Sequence, residues 1–337
     1  MRKPSGRIPP MTDTTRIAIV GYGNLGRGVE AAIGQNPDME LVAIVSRRPP
    51  ESVSPADPST RVLHQDSIDE LLGSVDVLIC CGGSKDDLPA QVPGLARRFN
   101  LVDSYDTHAQ IPTYFTAVDE SARQGETTAL IASGWDPGMF SVHRLLSESI
   151  LPEGETYTFW GYGLSQGHSD AIRRIPGVAA GVQYTKPVES AIAAARSGTR
   201  PTLTTREKHT RHCYVVLDEG ADAAAVERAI VTMPDYFADY DTTVTVIDDA
   251  TLAREHATMP HGGFVVRSAT ANGAEHTMEF SLALGDNPGF TASVLVAYAR
   301  AVRRLNAAGD VGAKTVFDVA PGLLSPRSAE DLRRDLL

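Results

Sequence analysis

From Arg16 onward the chain alternates short apolar runs with amphipathic stretches. Ile17-Ala18-Ile19-Val20 is a continuous β-rich run, Val29 to Ile33 carries apolar residues at helical spacing, and Leu41-Val42-Ala43-Ile44-Val45 is a second run. Further runs at Val75 to Cys81, Leu101-Val102 and Ala129-Leu130-Ile131 are separated by helix-like segments such as Ser67 to Leu72, which opens on the capping pattern Asp66-Ser67 followed by Asp69-Glu70. Strands without polar alternation are covered on both faces, so this part predicts an α/β fold built on a Rossmann-type doubly wound parallel sheet. After about Gly134 the texture changes. Tyr157-Thr158-Phe159-Trp160, Tyr214-Val215-Val216-Leu217, Thr243-Val244-Thr245-Val246 and Phe264-Val265-Val266 alternate or are aromatic-rich, as in a sheet with one solvated face. They predict a second α+β domain on a mixed or antiparallel sheet. Ala292 to Leu305 is helical again, and Pro321 and a charged stretch end the chain.

The expected division is a flexible polar arm over residues 1–15, with Met11 a candidate start, a nucleotide-binding domain over 16–134, and a second domain over 135–290. A helical segment over 291–337 is expected to return to the first domain. The length of 337 residues fits two such domains. Lys and Arg number 31 against 42 Asp and Glu, a net charge of −11, which argues against a nucleic-acid partner; a phosphate-bearing ligand would need its cations gathered locally. Three cysteines, two of them the neighbours Cys80 and Cys81, give no disulfide framework, and nowhere do 18 apolar residues stand in a row. A cytoplasmic protein with no membrane partner is expected.

The strongest single motif is Gly21-Tyr22-Gly23-Asn24-Leu25-Gly26, set between a strand-like and a helix-like run. In a dinucleotide fold Gly21 permits the tight turn, Gly23 lets the backbone approach a pyrophosphate, and Gly26 allows close helix–strand packing, while the helix N-terminus offers free N–H groups to the anion. The position after the second strand selects the cofactor. An NAD enzyme places Asp or Glu there, whereas this chain has Ser46-Arg47-Arg48, which suits a 2′-phosphate through charge-assisted bonds and favours NADP. An exposed loop would also accommodate such an Arg pair as solvated charge. Arg27, on the first helical turn, adds local positive potential.

Ligands of open α/β sheets lie beyond the carboxyl ends of the strands. Those ends supply Cys81, Gly82, Gly83 and Ser84, then Ser104, Tyr105 and Asp106 within Asp103 to His108, then Ser133, Gly134, Trp135, Asp136 and Pro137, all candidates for cofactor contact. Asp106 and Asp136 follow different strands and are candidates to converge near a nicotinamide as catalytic carboxylates. Asp at such places also serves as a helix N-cap or turn residue, and spacing alone does not choose.

The blocks AIVGYGNLGR, SRR, SYDTH, SGWDPGMFS, GLSQGHSD, RRIPGV, TMPDYF, MPHGG and DNPGFTAS resemble the meso-diaminopimelate D-dehydrogenases, NADP-dependent amino acid dehydrogenases of lysine biosynthesis, from about Arg16 to beyond Pro321. The resemblance implies reversible oxidative deamination of the D-centre of meso-2,6-diaminopimelate to L-2-amino-6-oxopimelate, with ammonia and NADPH formed. It places Asp106 and Asp136 beside the reacting centre, with Trp135 and Trp160 walling it off. The general base is left open between direct transfer to an Asp and a water that an Asp holds. It gives Thr185, Arg211 and His261 to the distal L-centre, Asn287 to the same substrate site, and Gln166, Gly167 and Asp170 to its lining. It also implies a homodimer formed through the second domain. Apart from the resemblance, Arg211 within Lys208-His209-Thr210-Arg211-His212 reads as a solvated surface charge. Tyr162, between Gly161 and Gly163, stands where relatives differ, which bears on the tolerance of other D-amino acids.

No metal is expected: the nine histidines are scattered without HExxH or CxxC, and His256 and His261 do not share a helical face. Cys80 and Cys81 read as buried strand residues. The competing readings are another NADP-dependent Rossmann reductase or D-amino acid dehydrogenase, and a non-catalytic NADP-sensing protein.

Overall fold

The structure is a computed structural model and describes residues 14–337. Most of the arm expected over residues 1–15, with Met11, lies outside the described residues. Thr15 is no arm residue: it is buried and begins the first strand, paired with Met39. The chain divides into two compact units, one ending at Val142 and resuming at Pro288, the other His143–Asn287. The first unit therefore extends past the border expected at 134 and resumes before the one expected at 291.

The first unit is a sheet of β1 (Thr15–Val20), β2 (Met39–Ser46), β3 (Arg61–His64), β4 (Val77–Cys80), β5 (Leu101–Asp103), β6 (Thr128–Leu130) and, from the far end of the chain, β14 (Gly312–Lys314). The order is β14-β6-β5-β4-β1-β2-β3, with every pair parallel. Strand order reverses at β1, and such a switch point is where an open sheet leaves a crevice at its carboxyl edge. The continuous apolar run in β1 still has a period of two. Ile17 and Ile19 join a core with Val29, Ile33, Val296 and Val302, whereas Ala18 and Val20 join a separate core with Leu88, Val92, Tyr114 and Val118. Helices α1 (Asn24–Gly34), α2 (Asp87–Ala96) and α3 (Ile111–Gln124) cover these faces.

Three local expectations are corrected. Gln65–Leu71 is a 3₁₀-helix, not an α-helix over Ser67 to Leu72, and the His64 ring, not Asp66-Ser67, caps it by accepting the Asp66 N–H at 3.4 Å. The last segment is not purely helical, because β14 extends the sheet beyond β6. Cys81 is not a strand residue: β4 ends at Cys80, and Cys81 is only half-buried.

The second unit has two sheets where the pattern predicted one. The mixed sheet runs β11 (Asp241–Val246), β10 (His209–Leu217), β9 (Val178–Pro187), β8 (Gly163–Leu164), with β10 parallel to β11 and antiparallel to β9. The other is antiparallel: β13 (Ala274–Leu284), β12 (His261–Ala271), β7 (Gly154–Trp160). Each covers its own apolar cluster, one with Ile172, Cys213, Val215 and Phe237, the other with Tyr157, Phe159, Ile192 and Val266. Separate small cores explain why the alternating runs could not be assembled into one sheet. Helices α4 (Met139–Ile150) and α5 (Gln166–Arg173) precede β7 and β9. Among the described residues no helix is long and apolar enough to cross a membrane.

Candidate active site

At the carboxyl ends of β1, β2 and β4 lies a cavity of about 540 Å³ lined by Gly21, Tyr22, Gly23, Asn24, Arg27, Ser46, Arg47, Arg48, Cys81, Gly82, Gly83 and Asp87. The three motif glycines have different physical reasons. Gly21 has φ +93°, a left-handed conformation that a side chain disfavours, and a Cβ on Gly26 would sit 2.2 Å from the Gly21 carbonyl oxygen. Gly23, the N-cap of α1, is in an extended conformation, and beyond its chain neighbours a Cβ there would meet nothing within 4 Å among the described residues. Nothing in the fold requires glycine at that position, whereas a ligand lying on the helix N-terminus would. Leu25 packs against the core instead of the cavity, and Ser84 is not among the cavity walls.

The cationic wall is ordered by its own hydrogen bonds. Ser46 is buried and its hydroxyl accepts the Arg48 N–H at 3.0 Å, while Arg48 Nη2 donates to the Tyr22 carbonyl at 2.8 Å. Arg27 donates to Asn24 Oδ1 at 2.7 Å. Arg47 pairs with Asp87 across 2.7 Å, and Asp87 also accepts the Gly83 N–H at 3.1 Å. Asp87 carried no sequence signal, because an acidic residue in the first turn of a helix is ordinary. The Tyr22 phenol donates to Glu30, and burial first, then that carboxylate, pushes it up to about 12.

The loops after β5 and β6 carry the two candidate carboxylates. Asp106 is exposed and its N–H donates to the Ser84 hydroxyl at 3.1 Å. Asp136 is half-buried between Trp135, which is buried edge-to-face against Phe140 at 5.3 Å, and Pro137, joined to it by a cis peptide bond. Gly134 is buried and Ser104 half-buried. Ser133 is buried with its hydroxyl donating to the Asp103 carbonyl. Tyr105 departs from the expected placement: its ring is buried in the core and stacked on Tyr114 at 4.1 Å.

In the second unit the strand register sets Thr185 on β9 opposite Arg211 on β10, with Gly163 on the other side of Thr185. Arg211 is no surface charge. It is 6% exposed, donates to the Thr185 hydroxyl and lies 3.8 Å over the Tyr240 ring, and among the described residues no carboxylate pairs with it. Its Nε is buried without a partner, and desolvation lowers its pKa. A buried guanidinium without a counter-charge costs stability unless an anion completes it. His261 opens β12 with its Nδ1 accepting the Gly262 N–H at 2.8 Å, and a Cβ on Gly163 would come within 2.4 Å of its ring. The Trp160 N–H donates to His209 Nε2 at 2.8 Å, and the two rings stack at 5.2 Å. His209, unnoticed in the sequence, is buried and pushed down to about 3 by desolvation and by the charges of Arg211 and Lys208, so it stays neutral. Gln166 opens α5, on which Gly167 and Asp170 are exposed, and Asp170 pairs with Arg173 on the same helix. Asn287 donates its N–H to the Met259 carbonyl at 3.0 Å.

The chain is 59% identical to the meso-diaminopimelate D-dehydrogenase of Ureibacillus thermosphaericus over 96% of its own length and 99% of that protein. It belongs to the meso-diaminopimelate D-dehydrogenase family. Residues 134–286 match the diaminopimelic acid dehydrogenase C-terminal domain. A six-substitution variant of the Clostridium tetani E88 meso-diaminopimelate dehydrogenase, crystallised with diaminopimelate, is 51% identical with a TM-score of 0.91, covering 96% of this chain and all of that one. An engineered D-amino acid dehydrogenase bound to NADP+ is 45% identical with a TM-score of 0.85 over the same shares. Membership makes the chain an oxidoreductase with a nicotinamide cofactor, for which the glycine turn and the cavity beside it have the required form. The residues that the sequence pattern did not single out include Asp87, which holds Arg47 and the Gly83 N–H, and His209, which holds Trp160.

Proposed function

We propose that the chain catalyses the NADP-dependent, reversible oxidative deamination of the D-centre of meso-2,6-diaminopimelate, giving L-2-amino-6-oxopimelate, which cyclises to tetrahydrodipicolinate, with ammonia and NADPH. The observation that supports the substrate is Arg211, a buried cation that among the described residues lacks a carboxylate and has a hydroxyl beside it. A substrate with a second, remote carboxylate supplies the missing anion through two parallel charge-assisted bonds. Thr185 and His261 serve the same L-centre, with Asn287, Gln166, Gly167 and Asp170 around it. For the cofactor, Ser46, Arg47 and Arg48 offer the 2′-phosphate a hydroxyl and two guanidiniums, and no carboxylate stands at the position that an NAD enzyme uses for its ribose. Bound NADP supplies the acceptor for the hydride.

Oxidation at an amine-bearing carbon removes a hydride from that carbon and a proton from its nitrogen, after which water adds and ammonia leaves. Asp106 and Asp136 hold the ammonium by hydrogen bonds and take up its proton, directly or through a water between them. Trp135, buried beside Asp136, keeps bulk water from that carboxylate, so the imine meets one positioned water. The enzyme works as a cytoplasmic homodimer in this reading, in keeping with three cysteines that form no disulfide. Initial rates of NADPH formation with meso-, LL- and DD-diaminopimelate test the assignment. Turnover of the meso isomer is expected, and activity on the LL isomer with none on the meso form would sink it.

A further inference from the structure

Asp103 ends β5 and is fully buried. A carboxylate away from water is tolerated only when its oxygens find donors. Oδ1 accepts the N–H of Tyr105 at 3.0 Å and that of Ala132 at 2.9 Å, and Oδ2 accepts the Tyr114 hydroxyl at 2.6 Å. The Asp103 carbonyl accepts the Ser133 N–H at 3.0 Å and its hydroxyl at 2.9 Å. Tyr105 belongs to the loop that carries Asp106; Ala132 and Ser133 belong to the loop that carries Asp136. The ladder between β5 and β6 pairs only Leu101 with Ala129 and Val102 with Leu130. Beyond it, these bonds from Asp103 join the two loops. They also hold a strained point, since Ala132 has φ +54°, a left-handed conformation that persists in a non-glycine residue only where its surroundings impose it.

We propose that Asp103 is a positioning residue of the reaction, whose buried carboxylate ties the β5 and β6 end loops into one body and so fixes Asp106 and Asp136 for the ammonium they serve. The proposal rests on the roles given above to those two aspartates. Charge matters to it, because an ionised carboxylate only accepts and its bonds to N–H groups are the stronger for it. Burial pushes Asp103 up to about 6 against the opposing pull of its three donors. The titratable groups around it are the Cys80 thiol of β4, the Tyr114 phenol of α3 and the Tyr105 phenol of its own loop. Burial and the Asp103 charge raise Cys80 and Tyr114 far above their ordinary values, so both stay protonated as Asp103 titrates. As pH falls through about 6 the carboxyl gains a proton, and the tie loses its charge-assisted character.

The test uses the full-length enzyme and measures kcat and both KM values for Asp103→Leu and Asp103→Asn between about pH 5 and 8, each as a ratio to the parent at the same pH so that substrate ionisation cancels. Asp103→Leu removes every side-chain acceptor and is expected to lower kcat about a hundredfold, with KM for NADP held within about threefold. Asn accepts both N–H groups through its oxygen and turns its amide toward Tyr114, so Asp103→Asn is expected to recover at least about tenfold of that loss. Its ratio to the parent is expected to rise as pH drops through about 6, where the parent alone loses its charge. An Asn variant as impaired as the Leu variant, a ratio flat across the range, or a loss confined to KM for NADP would each overturn the proposal. Where Asp103→Leu fails to fold, the pH course of Asp103→Asn decides alone. Asp106→Asn and Asp136→Asn run beside them: unchanged kcat there removes the aspartate roles, whereas impaired kcat there with an indifferent Asp103 removes only the tie.

Discussion

Arg211→Met separates substrate recognition from folding, because the wild-type side chain is buried yet among the described residues has no carboxylate partner of its own. Its folded-state interactions include the bond to the Thr185 hydroxyl and the contact with Tyr240, through its ring and its phenol. Losing the ring contact costs about 1–2 kcal/mol. Methionine has similar reach and no charge to desolvate, and removing that desolvation penalty offsets the loss, so the unfolding temperature should stay within a few degrees of the parent. Recognition has no such compensation. Withdrawing a buried guanidinium from a carboxylate costs about 2–5 kcal/mol, and with the middle of that range at about 1.4 kcal/mol per decade, kcat/KM for meso-diaminopimelate should fall roughly 10²-fold or more. A D-amino acid with an apolar side chain presents no distal carboxylate, so its kcat/KM should change by less than about threefold. The assay follows NADPH absorbance under initial-rate conditions for both substrates, beside a thermal melt. An equal loss on both substrates would remove Arg211 from carboxylate recognition, and a large drop in the melting temperature would assign it to folding.

Replacing Arg47 and Arg48 together by Ala should weaken NADP binding by about 10²-fold, two charge-assisted bonds at about 1.5 kcal/mol each, while NAD binding falls by no more than about threefold; calorimetric titration with both dinucleotides decides, and equal weakening contradicts the 2′-phosphate role. The two glycines of the turn should part company: Gly26→Ala puts a Cβ 2.2 Å from the Gly21 carbonyl oxygen and is expected to lower stability and cofactor affinity together, whereas the Cβ of Gly23→Ala meets nothing within 4 Å among the described residues beyond its chain neighbours and should lower affinity alone. Denaturant melts beside the same titrations check this, and a destabilised Gly23→Ala would refute the reserved-space reading. His209 also makes stability fall in acid. Its folded pKa of about 3 lies below the ordinary value of 6.5, so its contribution is complete above pH 6.5 and is lost as pH falls toward 3, by up to about 1.4 kcal/mol per pH unit. Equilibrium unfolding from pH 7 to 4 should show a shallower slope in His209→Gln than in the parent, and parallel slopes would reject it.

How far the molecule was legible follows from what each kind of residue must satisfy. Ile17 to Val20 announced a central strand because both faces of a parallel sheet need apolar cover, and the glycine turn announced the cavity because backbone geometry there admits few other residues. β14 gave no such signal: Gly312-Ala313-Lys314 is three residues long and gains its place from pairing with Thr128-Ala129-Leu130, a partner more than 180 positions away. β13 was hidden for the opposite reason, its side chains being largely exposed, so that only its ladder to β12 defines it. The same contrast runs through the candidate site. In the first unit the candidate residues stand at strand ends and loops, where sequence patterns point, but the groups that hold them do so through buried contacts that composition does not mark. Arg211 shows the limit most clearly. Within a string of Lys, His and Arg it reads as solvated, and strand alternation, which sends His209, Arg211 and Cys213 into the interior of the unit and leaves Thr210 and His212 half-buried, makes it a buried cation. Period two was present in the string all along; which phase faces inward was set by Thr185 and Gln183 on the neighbouring strand, and that pairing is fixed only when the chain folds.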